Sequence, residues 1–216
     1  MAYKAVLFDM DGTVLDTLTD LENAANTALR RFGLPEVTRE KVRASLGNGA
    51  DRLIRECVPA GTEEELIRQI VAWYRPWYEA HCCIETGPYP GILPLMERLK
   101  ARGIQQAIIS NKADVAVREL AERFFPGLLE TAVGESASVR CKPDPDAVLA
   151  AAAQMGRTVD ECVYVGDTEI DLATARNAGM DCLTVAWGFR SEAHLRACGA
   201  VSVAHSAEEL EEQILA

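Results

Sequence analysis

The sequence predicts an α/β fold, a doubly wound parallel sheet with an all-helical segment inserted into it. Two observations carry this. Short apolar or β-branched runs recur along the chain with helical patterns between them, and strands that alternate with helices pair in parallel. The alternation fails once, where nearly a hundred residues between the first two strand-like runs show helical spacing and no convincing strand.

The first strand is read at residues 4–8 and ends directly in acidic residues. The insertion follows, with helices expected at 21–32, 40–46 and 63–79, the last opened by a capping box of Thr62 and Glu65. Trp73, Tyr74, Trp77 and Tyr78 are read as the aromatic core of this bundle. Residues 86–91, Thr-Gly-Pro-Tyr-Pro-Gly, form the return, because their prolines and glycines suit a defined linker. This division gives a core of residues 1–15 and 87–216 and a helical insertion of 16–86. An insertion just past the first strand stands at the carboxyl edge of the sheet, where open α/β sheets bind ligands, and so reads as a cap.

Further strands are expected at 105–109, 130–133, 162–165, 182–185 and 201–203. Gly103, Gly156, Gly179 and Gly199 follow helical patterns as left-handed stops, and Ser206 with Glu209 makes a capping box for the last helix.

Composition narrows the classes of function. The 216 residues are 49% hydrophobic and 25% charged, which excludes disorder and collagen-like repeats. A net charge of −11 argues against nucleic acid and anionic membranes as partners. An anionic substrate would need a local device: a metal ion, a lysine or backbone N–H groups. The first apolar run turns acidic too soon for a secretion signal, and the longest later run, 147–153, is far short of the roughly 20 residues that span a bilayer. A cytoplasmic protein is expected. The seven cysteines, at 57, 82, 83, 141, 162, 182 and 198, include no Cys-x-x-Cys pair and read as reduced thiols.

Chemistry gathers at the strand ends. Asp9 and Asp11 are two residues apart, so an extended chain turns both carboxylates toward one pocket. Such neighbours repel unless a cation or a proton intervenes, which implies a hard metal, a shared-proton acid/base pair, or both. Gly12 lets backbone approach an anion. Ser110-Asn111-Lys112 ends the second strand with a hydroxyl, an amide and main-chain donors. Lys142 lies in a loop stiffened by Pro143 and Pro145, and Asp167 and Asp171 share one side of a first helical turn. Asp16 and Asp114 read as local caps. His81, His194 and His205 are too scattered for a zinc site.

These four clusters, Asp9-Met10-Asp11-Gly12-Thr13-Val14-Leu15-Asp16, Ser110-Asn111, Lys142-Pro143 and Gly166-Asp167 with Asp171, resemble the haloacid dehalogenase-like hydrolase superfamily along the whole chain. Gly47-Asn48-Gly49-Ala50-Asp51, Pro88-Tyr89-Pro90-Gly91 and Trp187-Gly188-Phe189 resemble its phosphoglycolate phosphatase branch. The resemblance implies a Rossmann-like core and an Mg²⁺-dependent phosphatase. Asp9 would be the nucleophile, Asp11 the acid and base, and Ser110 and Lys142 would act on the transferring group. Gly12, Thr13 and Asn111 would bind the phosphoryl group, and Asp9, Asp11 (through its carbonyl), Asp167 and Asp171 would hold the metal. Asp11 argues against dehalogenation, since a halide leaves without a proton. Specificity would come from the cap through Arg43, Gly47, Asn48 and Arg52, where an arginine could pair with a substrate carboxylate or Arg43 and Arg52 could simply be solvated. The expected partner is a small phosphorylated metabolite, foremost 2-phosphoglycolate, and the protein a monomer or homodimer. A phosphomutase of the β-phosphoglucomutase type, a phosphatase for nucleotides, sugar phosphates or pyrophosphate, and a non-catalytic phosphate-binding protein stay open.

Overall fold

A computed structural model describes residues 3–137 and 139–216. The chain opens with β1 (Ala5–Phe8) and a short β2 (Leu15–Asp16), then passes through α1 (Leu18–Arg31), α2 (Arg39–Ala44), α3 (Gly49–Cys57) and α4 (Glu64–Glu79). It returns through β3 (Gly87–Pro88), α5 (Ile92–Ala101), β4 (Gln105–Ala113), α6 (Asp114–Phe124) and β5 (Thr131–Glu135). After α7 (Asp146–Gln154) come β6 (Cys162–Gly166), α8 (Glu169–Ala178), β7 (Asp181–Val185), α9 (Glu192–Ala197), β8 (Val203–Ala204) and α10 (Ala207–Leu215). The chain divides into two compact units, one of Met1–Asp16 with Pro88–Ala216 and the other of Thr17–Gly87. Among the described residues, no helix is long and apolar enough to cross a membrane.

The first unit is built on a six-stranded sheet of order β5-β4-β1-β6-β7-β8. Every pairing in it is parallel. β1 lies between β4 and β6, and all four of its residues are fully buried, as a strand covered on both faces requires. Leu7, Ala107, Ile109 and Tyr164 meet Val148 and Ala151 of α7, and Met155 just past its end, in one apolar cluster under the sheet. From β1 the chain builds outward through β4 and β5, then crosses back to place β6 on the other side of β1. That reversal makes the carboxyl end of β1 the switch point where such sheets bind ligands.

Three of the sequence expectations for this unit need correction. β4 does not stop at Ile109 but continues to Ala113, because after a register shift Ala113 pairs again with Glu135. The last strand begins at Val203 rather than Val201, which is 91% exposed. At the last helix, Ser206 accepts the Glu209 N–H as expected, but the Glu209 carboxylate takes the N–H of His205 instead of closing the box on Ser206.

In the second unit four helices pack through Leu21, Ala25, Leu29, Val42, Leu53, Ile54, Ile70 and Tyr74. Thr62 does not cap α4; its hydroxyl donates to the Pro59 carbonyl at 2.7 Å, and Glu63 occupies the cap position. The aromatic residues divide by helix face. Tyr74 and Tyr78 are buried and stacked, whereas Trp73 and Trp77 are half-buried and stack along the other side. Asp20, also buried, ties the end of this unit to its start. Its carboxylate accepts the N–H groups of Ile84, Glu85 and Thr86 and the Thr86 hydroxyl at 2.8–3.1 Å.

Candidate active site

Asp9 extends β1 by one more ladder bond, its N–H donating to the Val165 carbonyl at 2.8 Å, so its side chain is aimed by the sheet itself. The next residues close a tight loop. The N–H groups of Thr13, Val14 and Leu15 converge on the Met10 carbonyl, and Gly12, at φ +88°, donates to Leu15. On the neighbouring strand Ile108 is in register with Phe8, which sets Ser110 two residues further along the same edge. Asn111 grips the Lys142 backbone at both ends: its amide donates to the Lys142 carbonyl at 3.0 Å and its oxygen accepts the Lys142 N–H at 2.7 Å.

Held in this way, the Lys142 ammonium donates to Asp9 Oδ1 at 2.7 Å, Asp171 Oδ1 at 2.7 Å and the Tyr164 hydroxyl at 3.0 Å. Asp171 is completely buried, and its other oxygen accepts from the N–H groups of Asp167 and Thr168 and from the Thr168 hydroxyl. Gly166 has to be glycine, since a Cβ there would lie 2.3 Å from the Asp171 side chain. Asp167 is fixed from two sides, by the Thr13 hydroxyl at 3.0 Å and the Phe189 N–H at 2.6 Å. Gly188 permits that second approach; its Cβ would meet Asp167 Oδ2 at 2.3 Å and the Gly12 carbonyl at 2.4 Å. Trp187 closes the arrangement by donating its indole N–H to the Thr13 carbonyl. Asp11 is ion-paired with Lys112, Nζ to Oδ1 at 2.9 Å, a contact of opposite charges rather than an aligned hydrogen bond.

The charges here are crowded and dry. Burial raises the pKa of Asp9 well above the usual carboxylate range; Lys142 opposes this, and the charges of Asp171 and Asp167 reinforce it. Burial and the Asp171 charge push Asp167 up to about 7. For Lys142 burial acts against the ammonium, yet the carboxylates of Asp171 and Asp9 outweigh it and hold the group well above its ordinary value. One oxygen each of Asp9, Asp167 and Asp171 lies within 4.8 Å of the others. Three buried carboxylates so placed form a hard, all-oxygen set suited to a cation such as Mg²⁺, which would relieve their repulsion.

The structure therefore gathers Asp9, Thr13, Asn111, Lys142, Asp167 and Asp171 into one bonded network, with Asp11, Gly12 and Ser110 on the same loops. The Thr13 hydroxyl donates to Asp167 and the Asn111 amide to the Lys142 carbonyl, so both side chains take part in the framework of the network. Asp114, expected as a cap, is the first residue of α6; it accepts the Gly134 N–H at 2.9 Å and the Arg118 guanidinium at 2.6 Å, tying the start of α6 to β5. Arg43 is exposed on α2, and Gly47 and Asn48 form the turn before α3; all three belong to the helical unit. Sequence reasoning missed Tyr164, which reads as an ordinary core aromatic of β6, and Lys112, whose side chain is 5% exposed. Its position directly after Ser110-Asn111 was the available signal.

A family model described as haloacid dehalogenase-like hydrolase matches residues 6–185. Phosphoglycolate phosphatase 1 of Pseudomonas aeruginosa is 31% identical over 86% of this chain and 70% of its own length. Phosphoglycolate phosphatase of Caulobacter vibrioides is 32% identical over 93% of this chain and 86% of its own. Among solved structures, a candidate phosphoglycolate phosphatase from Lactobacillus delbrueckii subsp. bulgaricus superposes with a TM-score of 0.95 at 39% identity, covering 100% of this chain and 99% of that one. On the matched span and the clustered acids and lysine, the chain belongs to the haloacid dehalogenase-like hydrolases.

Proposed function

We propose that the chain is an Mg²⁺-dependent phosphatase that hydrolyses 2-phosphoglycolate through an aspartyl-phosphate on Asp9. The observation that carries this reading is the Lys142 ammonium bridging Asp9 and Asp171 at 2.7 Å each, with Asp167 in the same cluster. Asp9 Oδ attacks phosphorus, the bond to the ester oxygen breaks, and Asp11 supplies a proton to the departing alcohol. In the second half Asp11 takes a proton from water, the water oxygen attacks phosphorus, and inorganic phosphate leaves with Asp9 restored. Lys142 offsets charge on the nucleophile and the transferring group, while Ser110 and the N–H groups of the loops at Asp11, Gly12, Thr13 and Asn111 take the phosphoryl oxygens. Asp9, the Asp11 carbonyl and Asp167 would hold Mg²⁺, which would supply charge neutralisation to the phosphoryl oxygens. Asp171 has both oxygens bonded to protein and serves to position Lys142 and the Asp167 loop. The helical insertion would serve as the cap, and Arg43, Gly47 and Asn48 would set the choice of substrate. The names of the relatives support the choice of substrate.

The test is release of phosphate from a panel of 2-phosphoglycolate, sugar phosphates, nucleotides and pyrophosphate, with Mg²⁺ and with EDTA. Fastest release from 2-phosphoglycolate in Mg²⁺ alone is expected. Isomerised sugar phosphate without free phosphate would establish a mutase instead, and full activity in EDTA would remove the metal from the reading.

A further inference from the structure

Tyr164 is a core residue by position and a polar one at its tip. It pairs with Leu7 across β1 and β6, and Leu7 and Asp9 stand two residues apart on β1 and its extension, so the phenol and the Asp9 carboxylate lie on one face of the sheet. The ring is completely buried in the apolar cluster with Leu7, Ile109, Val148 and Ala151. A hydroxyl taken into such surroundings costs free energy unless it is bonded. Its single proton faces the Ile109 carbonyl and Asp171 Oδ1, each at 3.4 Å, near the limit of a hydrogen bond. Its short bond is the one it accepts, from the Lys142 ammonium at 3.0 Å. Phenylalanine would fill the same space with no hydroxyl to satisfy, so packing does not account for the polar tip; Lys142 does.

An ammonium has three N–H donors, and at Lys142 they go to Asp9, Asp171 and Tyr164. Nitrogen is tetrahedral, so once its carbon and two N–H directions are set the third is set as well. Two of the acceptors are rigid: Asp171 is held through its other oxygen by Asp167 and Thr168, and Tyr164 by its packed ring. The lysine stem is flexible, and with Asp171 alone its head could pivot about one bond. We infer that Tyr164 is a positioning residue for phosphoryl transfer: its hydroxyl, together with Asp171, aims the third Lys142 N–H at Asp9 and, once Asp9 is esterified, at the phosphoryl oxygens. This inference rests on the phosphatase reading above and adds to it a residue that acts only through Lys142.

The experiment measures kcat and KM of wild type and Tyr164→Phe in Mg²⁺ on two esters with different leaving groups, 2-phosphoglycolate and p-nitrophenyl phosphate, with circular dichroism spectra of both proteins. Loss of a bond to a charged group that matters in the transition state predicts a fall in kcat of about 10- to 100-fold on every ester the wild type hydrolyses, with KM within about threefold and the spectrum unchanged. A variant within about threefold of wild-type kcat overturns the inference, and so does a loss that falls on KM while kcat is kept. A loss confined to one of two esters that the wild type hydrolyses would tie Tyr164 to the leaving group and overturn it too, and a variant that does not fold would make the hydroxyl a structural group, with the same consequence. In each of these cases the phosphatase reading stands. A wild type that releases phosphate from neither ester refutes that reading and the inference with it, whereas one active on p-nitrophenyl phosphate alone refutes only the choice of substrate, and the kcat comparison on that ester then decides.

Discussion

Replacing Lys142 with Met keeps the length of the side chain and deletes its charge at the centre of the network. The ammonium is 4% exposed and lies 2.7 Å from Asp9, itself 9% exposed, and 2.7 Å from the fully buried Asp171. Without it the two carboxylates face one another with oxygens no more than 4.8 Å apart. At an effective dielectric of about 20 their repulsion is then at least about 3.5 kcal/mol, in line with the cost of breaking a buried pair. For a chain of this size that corresponds to a fall in Tm of about 7–14 °C near pH 8 in EDTA. Acids whose folded pKa is raised bind more protons in the native state, so the variant regains stability as pH falls, and near pH 5 the deficit should be less than about half as large. Thermal melts followed by circular dichroism at both pH values measure this. A variant within about 2 °C of wild type near pH 8, or a deficit unchanged near pH 5, would refute the claim that Lys142 compensates these charges.

Four further outcomes follow from the same geometry. Asp9→Asn should lower turnover by about a thousandfold or more while leaving the fold intact, as expected for loss of a covalent nucleophile; phosphate release and the circular dichroism spectrum measure the two. In metal-free protein Asp167 is raised to about 7, so the native state binds the extra proton and stability falls as pH rises from about 4 to about 7. Mg²⁺ at about 100 times its Kd should therefore raise Tm by about 5–10 °C near pH 8 and by less near pH 5, as scanning calorimetry will show. Gly188→Ala places a Cβ 2.3 Å from Asp167 Oδ2 and 2.4 Å from the Gly12 carbonyl, and the backbone must shift; a loss of about 1–3 kcal/mol and a much larger loss of Mg²⁺ affinity are expected, read by denaturant melts and titration calorimetry. Asn111→Ala removes two bonds to the Lys142 backbone and should lower kcat by about 10- to 100-fold while KM stays within about threefold, in steady-state assays.

The motif residues at 9, 11, 110, 142, 167 and 171 were legible because each follows a strand-like run or sits in a proline-stiffened loop, and the parallel alternation brings those ends to one edge. Helix stops were legible where glycine alone tolerates the left-handed turn, as at Gly103 (φ +78°) and Gly179 (φ +69°). Thr62 misled because a capping box is a local pattern, and the Pro59 carbonyl, also local, competed for the same hydroxyl. The length of β4 misled because its last residues pair only after a register shift, which leaves no mark on hydrophobic periodicity. By itself the sequence determined the fold class and which residue types carry the chemistry, since periodicity, punctuation and motif spacing are properties of short stretches. Tertiary structure alone decided the partners: Lys142 with Asp9 and Asp171, Lys112 with Asp11, Asn111 with the Lys142 backbone, and the Phe189 N–H with Asp167. Those pairings join residues from 22 to 133 positions apart, and a polar contact is satisfied by distance and direction in space, to which separation along the chain is blind.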